Sequence, residues 1–195
     1  RLSKGVKELN VLINKLKLPV VTTWAGMDCV DAKNKYLIGV IGVYGTRSAN
    51  FTVQNSDLII SIGTRLDTRV TGGKPETFAP KARKILIDID KNELLKRRGL
   101  TPDVSIEIDA VLLIKKLLIE LNKHFLQHNC NEWIKTCHFF KKKYPIVLKK
   151  YRNEKKYVNP YFFFDKLSKK INRKDIIVAD TGAHLTWCMQ TFQLK

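Results

Sequence analysis

The sequence predicts an α/β fold, a parallel sheet with helices covering both of its faces. Strand-like and helix-like segments alternate along the chain. The strand-like segments "PVVTT", "DLIISIG" and "KILIDID" are near-continuous apolar runs, which marks strands buried on both sides. With 195 residues, 44% of them hydrophobic, the chain suits one full domain, or one domain plus a piece of another.

The elements follow in order. Val6, Leu9, Leu12, Ile13 and Leu16 recur at a helical period, and Pro19 ends that helix. Residues 19–23 are a first strand. The Gly-rich "IGVIGVYGTRSAN" lacks the strand–turn–helix spacing of a dinucleotide fingerprint, so its glycines are assigned to a tight turn and close packing. Residues 46–56 are a short helix with Thr46 as cap. Residues 57–63 are a second strand, ending in Gly63. "RLDTRVTGGKPETFAPKA" is a loop too long to be only a turn, hence functional or well packed. Residues 84–90 and 103–108 are the third and fourth strands, and Asp109 caps a long helix after them. A helix over 133–150 is broken near Pro145. Asn159 caps another, with Pro160 at its first position. Residues 175–179, "DIIVA", are a last buried strand running into the turn "DTGAH". Residues 1–123 therefore read as one α/β domain, 124–158 as a Lys-rich helical linker, and 159–195 as the opening of a second α/β domain. There is no internal repeat.

The net charge is +18, from 36 basic and 18 acidic residues. A nucleic-acid binder would cluster its basic residues around a motif. Here Lys is spread along nearly every helix, and the dense stretch Phe139–Lys156 reads as a solvated helix face and its exit. No nucleic-acid partner is expected. No apolar run approaches the roughly 18–20 residues of a membrane span, and no signal-peptide pattern opens the chain. Cys29, Cys130, Cys137 and Cys188 form no CxxC pair, which points to a reduced, cytoplasmic setting.

In a parallel α/β sheet, ligands sit beyond the carboxyl ends of the strands. Those ends bring Thr22, Thr23 and Trp24, then Gly63, Thr64, Arg65, Asp67 and Arg69, then Asp88 and Asp90, to one edge. Gly63 permits close backbone approach, the two arginines supply planar donors for a pyrophosphate, and an acid accepts from ribose hydroxyls. The pattern fits a dinucleotide-like ligand. The competing reading makes Arg65, Asp67, Arg69 and Asp90 a surface ion-pair network that holds a loop. A zinc site from His124, His128, Cys130, Cys137 and His138 is disfavoured, because their spacing fits no finger or ribbon. No G-x-S-x-G elbow marks a hydrolase.

Three segments carry a resemblance. "YGTRSANFTVQNSDL" resembles an "HG-x-x-x-AN-x-x-x-x-x-SDL" motif at Gly45, Ala49, Asn50, Ser56, Asp57 and Leu58. "GTRLDTRVTG" resembles "G-x-R-F-D-D-R-V-T-G" at Gly63, Arg65, Asp67, Arg69, Val70, Thr71 and Gly72. "DTGAHLTW" resembles "x-x-G-x-H-x-x-W" at Gly182, His184 and Trp187. In this order they resemble thiamine-diphosphate-dependent enzymes of the acetolactate synthase (acetohydroxyacid synthase) large-subunit type. The sequence departs from that pattern at Leu66 and Thr68, at Ile108 where the family has Gly, and at Ala183 where it commonly has Gln.

The resemblance implies a Rossmann-like central domain without its first strand, followed by a truncated pyrophosphate-binding domain. It implies FAD along Thr22, Thr23, Trp24, Gly63, Thr64, Arg65, Asp67, Arg69, Val70, Asp88 and Asp90. It implies thiamine diphosphate, with Mg2+, at Thr181, Gly182, Ala183 and His184. The chain is expected to be a piece of a larger enzyme, inactive alone and without catalytic or metal-binding residues of its own. The parent would decarboxylate a 2-oxo acid and join the remainder to a second one. It would work as a homodimer or homotetramer, with a regulatory subunit as a further partner. The alternatives are a flavin-free thiamine-diphosphate decarboxylase or lyase and, from another class, a basic nucleotide- or nucleic-acid-binding module.

Overall fold

The computed structural model describes residues 2–96, 99–124, 129–172 and 174–193. Helix α1 (Val6–Leu16) ends where Lys17 turns left-handed, two residues before Pro19. Strand β1 (Val20–Thr22) pairs in parallel with β2 (Leu37–Val40). Helix α2 (Arg47–Gln54) starts at Thr46, whose side chain accepts from the Ala49 N–H. Strands β3 (Leu58–Ile62), β4 (Arg83–Asp88) and β5 (Val104–Glu107) form a second parallel sheet in that spatial order. Short helices α3 (Thr68–Thr71) and α4 (Lys91–Leu95) follow β3 and β4. Helix α5 (Ala110–Lys123) starts at Asp109, which accepts from Val111 and Leu112. Helices α6 (Asn131–Lys143), α7 (Pro160–Lys170) and α8 (Ala183–Thr191) complete the chain, with Asn159 capping α7.

Both sheets share one core. Ile41, Ala49, Val53, Leu66, Val70, Phe78, Ala79, Ala82 and Leu100 are buried together, with Val21 of β1, Ile59 of β3 and Leu86 of β4 against them. The long 65–82 loop thus supplies five of the nine buried residues, and its length is explained by packing. A smaller cluster of Ile13, Val30 and Tyr36 seats α1 on the first sheet. Helix α1 runs alongside α5 in the same direction. A Cβ on Gly5 would sit 2.2 Å from Val111, and Lys15 donates to Asn122 at 2.6 Å. Helix α6 packs on α2 through Phe140 and Tyr144 against Phe51, and the Lys141 ammonium donates to the Leu37 carbonyl at 2.8 Å.

The structure corrects the sequence reading at three places. Strand β2 lies in the Gly-rich stretch assigned to a turn. Gly39 interrupts its apolar run, and only pairing with β1 defines it. The glycines do serve close packing: a Cβ on Gly39 would lie 2.5 Å from the Thr46 hydroxyl. Residues 175–179 do not form a strand. A parallel strand is held by neighbours, none of the described strands pairs with it, and Ile176 and Val178 stand 89% and 90% exposed. Both faces of the second sheet are covered at its central strand: Ile87 of β4 is 2% exposed on the same face where Leu58 (44%), Ile60 (44%) and Val104 (39%) of the edge strands stay open. Helix α6 ends at Lys143, ahead of Pro145, and 149–152 is a separate short 3-10 turn.

Gly42 has φ +118°, and a Cβ there would meet the Arg69 carbonyl at 2.5 Å. Gly42→Ala therefore combines a disfavoured backbone conformation, worth about 1–3 kcal/mol, with a backbone clash. Chemical denaturation should show a loss of at least that size, against a near-neutral Gly73→Ala, where nothing lies within 4 Å.

Candidate functional site

Because every strand pair is parallel, the strand exits share an edge, and backbone hydrogen bonds stitch it together. The Ile41 N–H donates to the Thr22 carbonyl at 2.9 Å, Val43 to Arg69 at 2.8 Å, Gly63 to Ile87 at 2.8 Å and Ile108 to Asp88 at 3.0 Å. The Val43–Arg69 bond matters most, because it joins the exit of the first sheet to the exit of the second. Thr22, Gly63, Arg69 and Asp88 thus belong to one rim, as the sequence implies.

The side chains on this rim divide into two groups. Asp67 is the N-cap of α3, accepting from Arg69 and Val70 at 2.9 and 3.2 Å. Asp90 is the N-cap of α4, accepting from Asn92 at 2.8 Å. Asp88 accepts from the Asp90 N–H at 3.0 Å. In each, one carboxylate oxygen shapes a turn, and for Asp88 and Asp90 the other oxygen has no hydrogen bond among the described residues. Val70 is buried in the core, and its N–H is taken by Asp67. The second group is open. Gly63 has φ +62° with nothing within 4 Å of where its Cβ would stand. Arg69 is exposed and makes no ion pair with a described residue. Thr23 and Thr64 are half-buried, and Trp24 is exposed at the start of a 3-10 turn.

Arg65 is neither free nor part of the ion-pair network the sequence suggests. Its Nε lies 3.2 Å from Glu93 of α4, a residue the sequence reading did not single out. Glu93 also accepts from Lys96. That hydrogen bond, helped by the Arg65 charge, holds the Glu93 carboxyl below its ordinary range. The pair ties the β3 exit to α4.

The second candidate locus is the turn before α8. Gly182, φ +159°, precedes Ala183, and the His184 imidazole folds back over it, 2.9 Å from where a Gly182 Cβ would stand. Thr181 donates its N–H to the Asp180 carboxylate. Among the described residues nothing accepts from the amides of Gly182, Ala183 or His184. Free amides at the start of a helix are the donor set that suits a phosphate. This locus meets the first through the loop of Gly42–Gly45: Gln190 of α8 donates to the Tyr44 carbonyl at 2.8 Å.

Residues 1–117 match the family model for the central domain of thiamine pyrophosphate enzymes. The chain belongs to that family. It is similar over its full length to the acetolactate synthase large subunit of Cyanidium caldarium, 32% identical over 197 residues that make up 32% of that protein. It is 31% identical to the acetolactate synthase isozyme 2 large subunit of Escherichia coli strain K12, across 97% of this chain and 32% of that one. A probable acetolactate synthase large subunit of Methanococcus aeolicus is 33% identical across all of this chain and 34% of its own length. The chain spans about a third of the length of the curated relatives it matches.

Other candidates sit apart from this rim. Cys137 is fully buried, its thiol pushed up by desolvation despite a hydrogen bond with Thr52. His124 and His138 are exposed, and His128 lies outside the described residues. No group of three or more His, Cys, Asp or Glu among the described residues is placed to hold a metal ion. No described helix is long and apolar enough to cross a membrane.

The depressed Glu93 pKa sets a sign. A carboxylate stabilised in the fold contributes stability above its ordinary titration range, and that contribution is lost as pH falls through the lowered folded value. Glu93→Gln should therefore flatten the acid limb of a stability–pH profile followed by urea denaturation, and leave the neutral limb parallel to the parent.

Proposed function

We propose that this chain is part of an acetolactate synthase-type enzyme, and that it supplies a nucleotide edge and a diphosphate turn to it. One observation supports this above the rest. Two segments distant in sequence, the 63–72 loop through Arg69 and α8 through Gln190, meet the Gly42–Gly45 loop. The family pattern lies in or beside all three, at Gly45–Leu58, Gly63–Gly72 and Gly182–Trp187.

The residues fit the two organic cofactors unequally. At the diphosphate turn, the unclaimed amides of Gly182, Ala183 and His184 would hold the terminal phosphates of thiamine diphosphate. Thiamine diphosphate, when bound, supplies an acidic carbon that adds to a 2-oxo acid and a ring that takes up the electrons left by decarboxylation. The chain's own part is to fix the phosphate end of that group and to cover it with His184. At the edge, Gly63 allows a ligand backbone-close approach, Arg69 offers a planar pair of donors to a pyrophosphate, and Asp88 and Asp90 accept from hydroxyls. These residues fit the diphosphate and sugar of FAD. Mg2+ would be held by residues that this chain does not contribute.

A flavin-free thiamine-diphosphate decarboxylase or lyase is the second reading. Half-buried Ile108 favours it, since its N–H bonds Asp88 at the rim and it places a branched side chain where the family pattern has glycine. In either case the substrate is a 2-oxo acid, the assembly a homodimer or homotetramer, the setting cytoplasmic, and a regulatory subunit a further partner.

The full-length protein, supplied with thiamine diphosphate and Mg2+, should consume pyruvate and release carbon dioxide. Lack of turnover on any 2-oxo acid would remove both readings. A flavin absorption band in the purified protein separates the first from the second. If flavin is present, Arg69→Ala should weaken it by at least about 1.5 kcal/mol, the size of a lost charge-assisted hydrogen bond, as read by equilibrium dialysis. An unchanged affinity would make Arg69 structural.

A further inference from the structure

Gln190 sits in the last turn of α8, at the opposite end from the Gly182 turn. Its side-chain nitrogen donates to the Tyr44 carbonyl at 2.8 Å and lies 3.4 Å from the Gly45 carbonyl. Among the described residues this is the only side-chain hydrogen bond from α8 to the first α/β unit.

The loop that receives it is rigid. Asn50 clamps Gly42 from both sides, accepting from its N–H at 3.0 Å and donating to its carbonyl at 2.9 Å. Gly45 donates to Gly42 at 2.9 Å, Thr46 to Val40 at 2.7 Å and Val43 to Arg69 at 2.8 Å. A Cβ on Gly45 would stand 2.5–2.7 Å from the backbone of Val40, Ile41 and Gly42. The other side of α8 is held against α7, with Phe192 on Phe164 and Trp187 on Tyr161. Aromatic packing resists separation but tolerates sliding and rotation, whereas a hydrogen bond to a fixed carbonyl does not.

A helix of nine residues is a rod of roughly 13 Å, so fixing one end in azimuth and depth fixes the other. From this geometry we infer that Gln190 is a positioning residue for the diphosphate. Its amide sets the register of α8 on the Gly42–Gly45 loop, and thereby the aim of the Gly182–His184 amides. Both atoms it faces are carbonyl oxygens, so only a donor serves. The inference rests on the thiamine-diphosphate reading above.

The test uses the full-length protein with Gln190→Glu and Gln190→Met, both close in shape and neither able to donate, and Gln190→Lys, which restores a long donor. Intrinsic fluorescence quenching by thiamine diphosphate in Mg2+ gives its Kd. The Met variant should raise Kd about threefold to tenfold, the range of one lost hydrogen bond, the Glu variant by more, and the Lys variant should stay within about twofold. The turnover number at saturating cofactor should stay within about twofold in all three. Without any cofactor, hydrogen exchange should quicken in α8 of the Glu and Met variants and stay unchanged in α2. A Kd within twofold in both the Glu and Met variants, or α8 exchange like the parent's, overturns the proposal and leaves the functional reading standing. A matching loss of protection in α2 also overturns it, since Gln190 would then be a general stabiliser. Failure of the unsubstituted protein to bind thiamine diphosphate would overturn the functional reading, and this proposal with it.

Discussion

The architecture depends on one hydrogen bond, from the Val43 N–H to the Arg69 carbonyl. The two parallel sheets do not pair with each other among the described residues. This bond and the shared apolar cluster beneath it make their strand exits one rim. It requires a backbone that approaches closely, which is why Gly42 takes a conformation other residues avoid and has no room for a Cβ. Asn50 then holds that turn through both of its amide atoms. Helix α8 reaches the same loop through Gln190.

Charge on the rim is arranged by the same backbone economy. Asp67 and Asp90 lie where a ligand-binding acid would, yet each first satisfies the open end of a short helix. Glu93 draws Arg65 toward α4. Arg69 makes no ion pair with a described residue, and open space surrounds the place of a Gly63 Cβ. The spread of lysines over the outside keeps the chain strongly cationic.

The helices at the end of the chain also belong to the fold. Cys137 disappears into the seam between α6 and α2, and α8 reaches back 146 residues to the loop at Tyr44. Helix α6 therefore packs on the first unit.

Much was legible in local sequence. The caps at Thr46, Asp109 and Asn159 were readable because a short polar side chain before a periodic apolar segment has few other uses. The strands at 58–62 and 83–88 announced themselves as apolar runs, and the Gly63–Gly72 and Gly182–Trp187 motifs named the family. What sequence could not fix were outcomes that depend on neighbours. Residues 175–179 have the composition of a strand, but a strand exists only where another backbone completes its hydrogen bonds, and none does so here. Strand β2 shows the reverse, a Gly-interrupted segment made a strand by pairing with β1. Asp67 and Asp90 could each have been cap or ligand, since one carboxylate suits both, and only the placement of the following amides decided. Glu93 and Gln190 carried no local signal. Their partners, Arg65 and Tyr44, become near only when parallel packing brings the strand exits to one side.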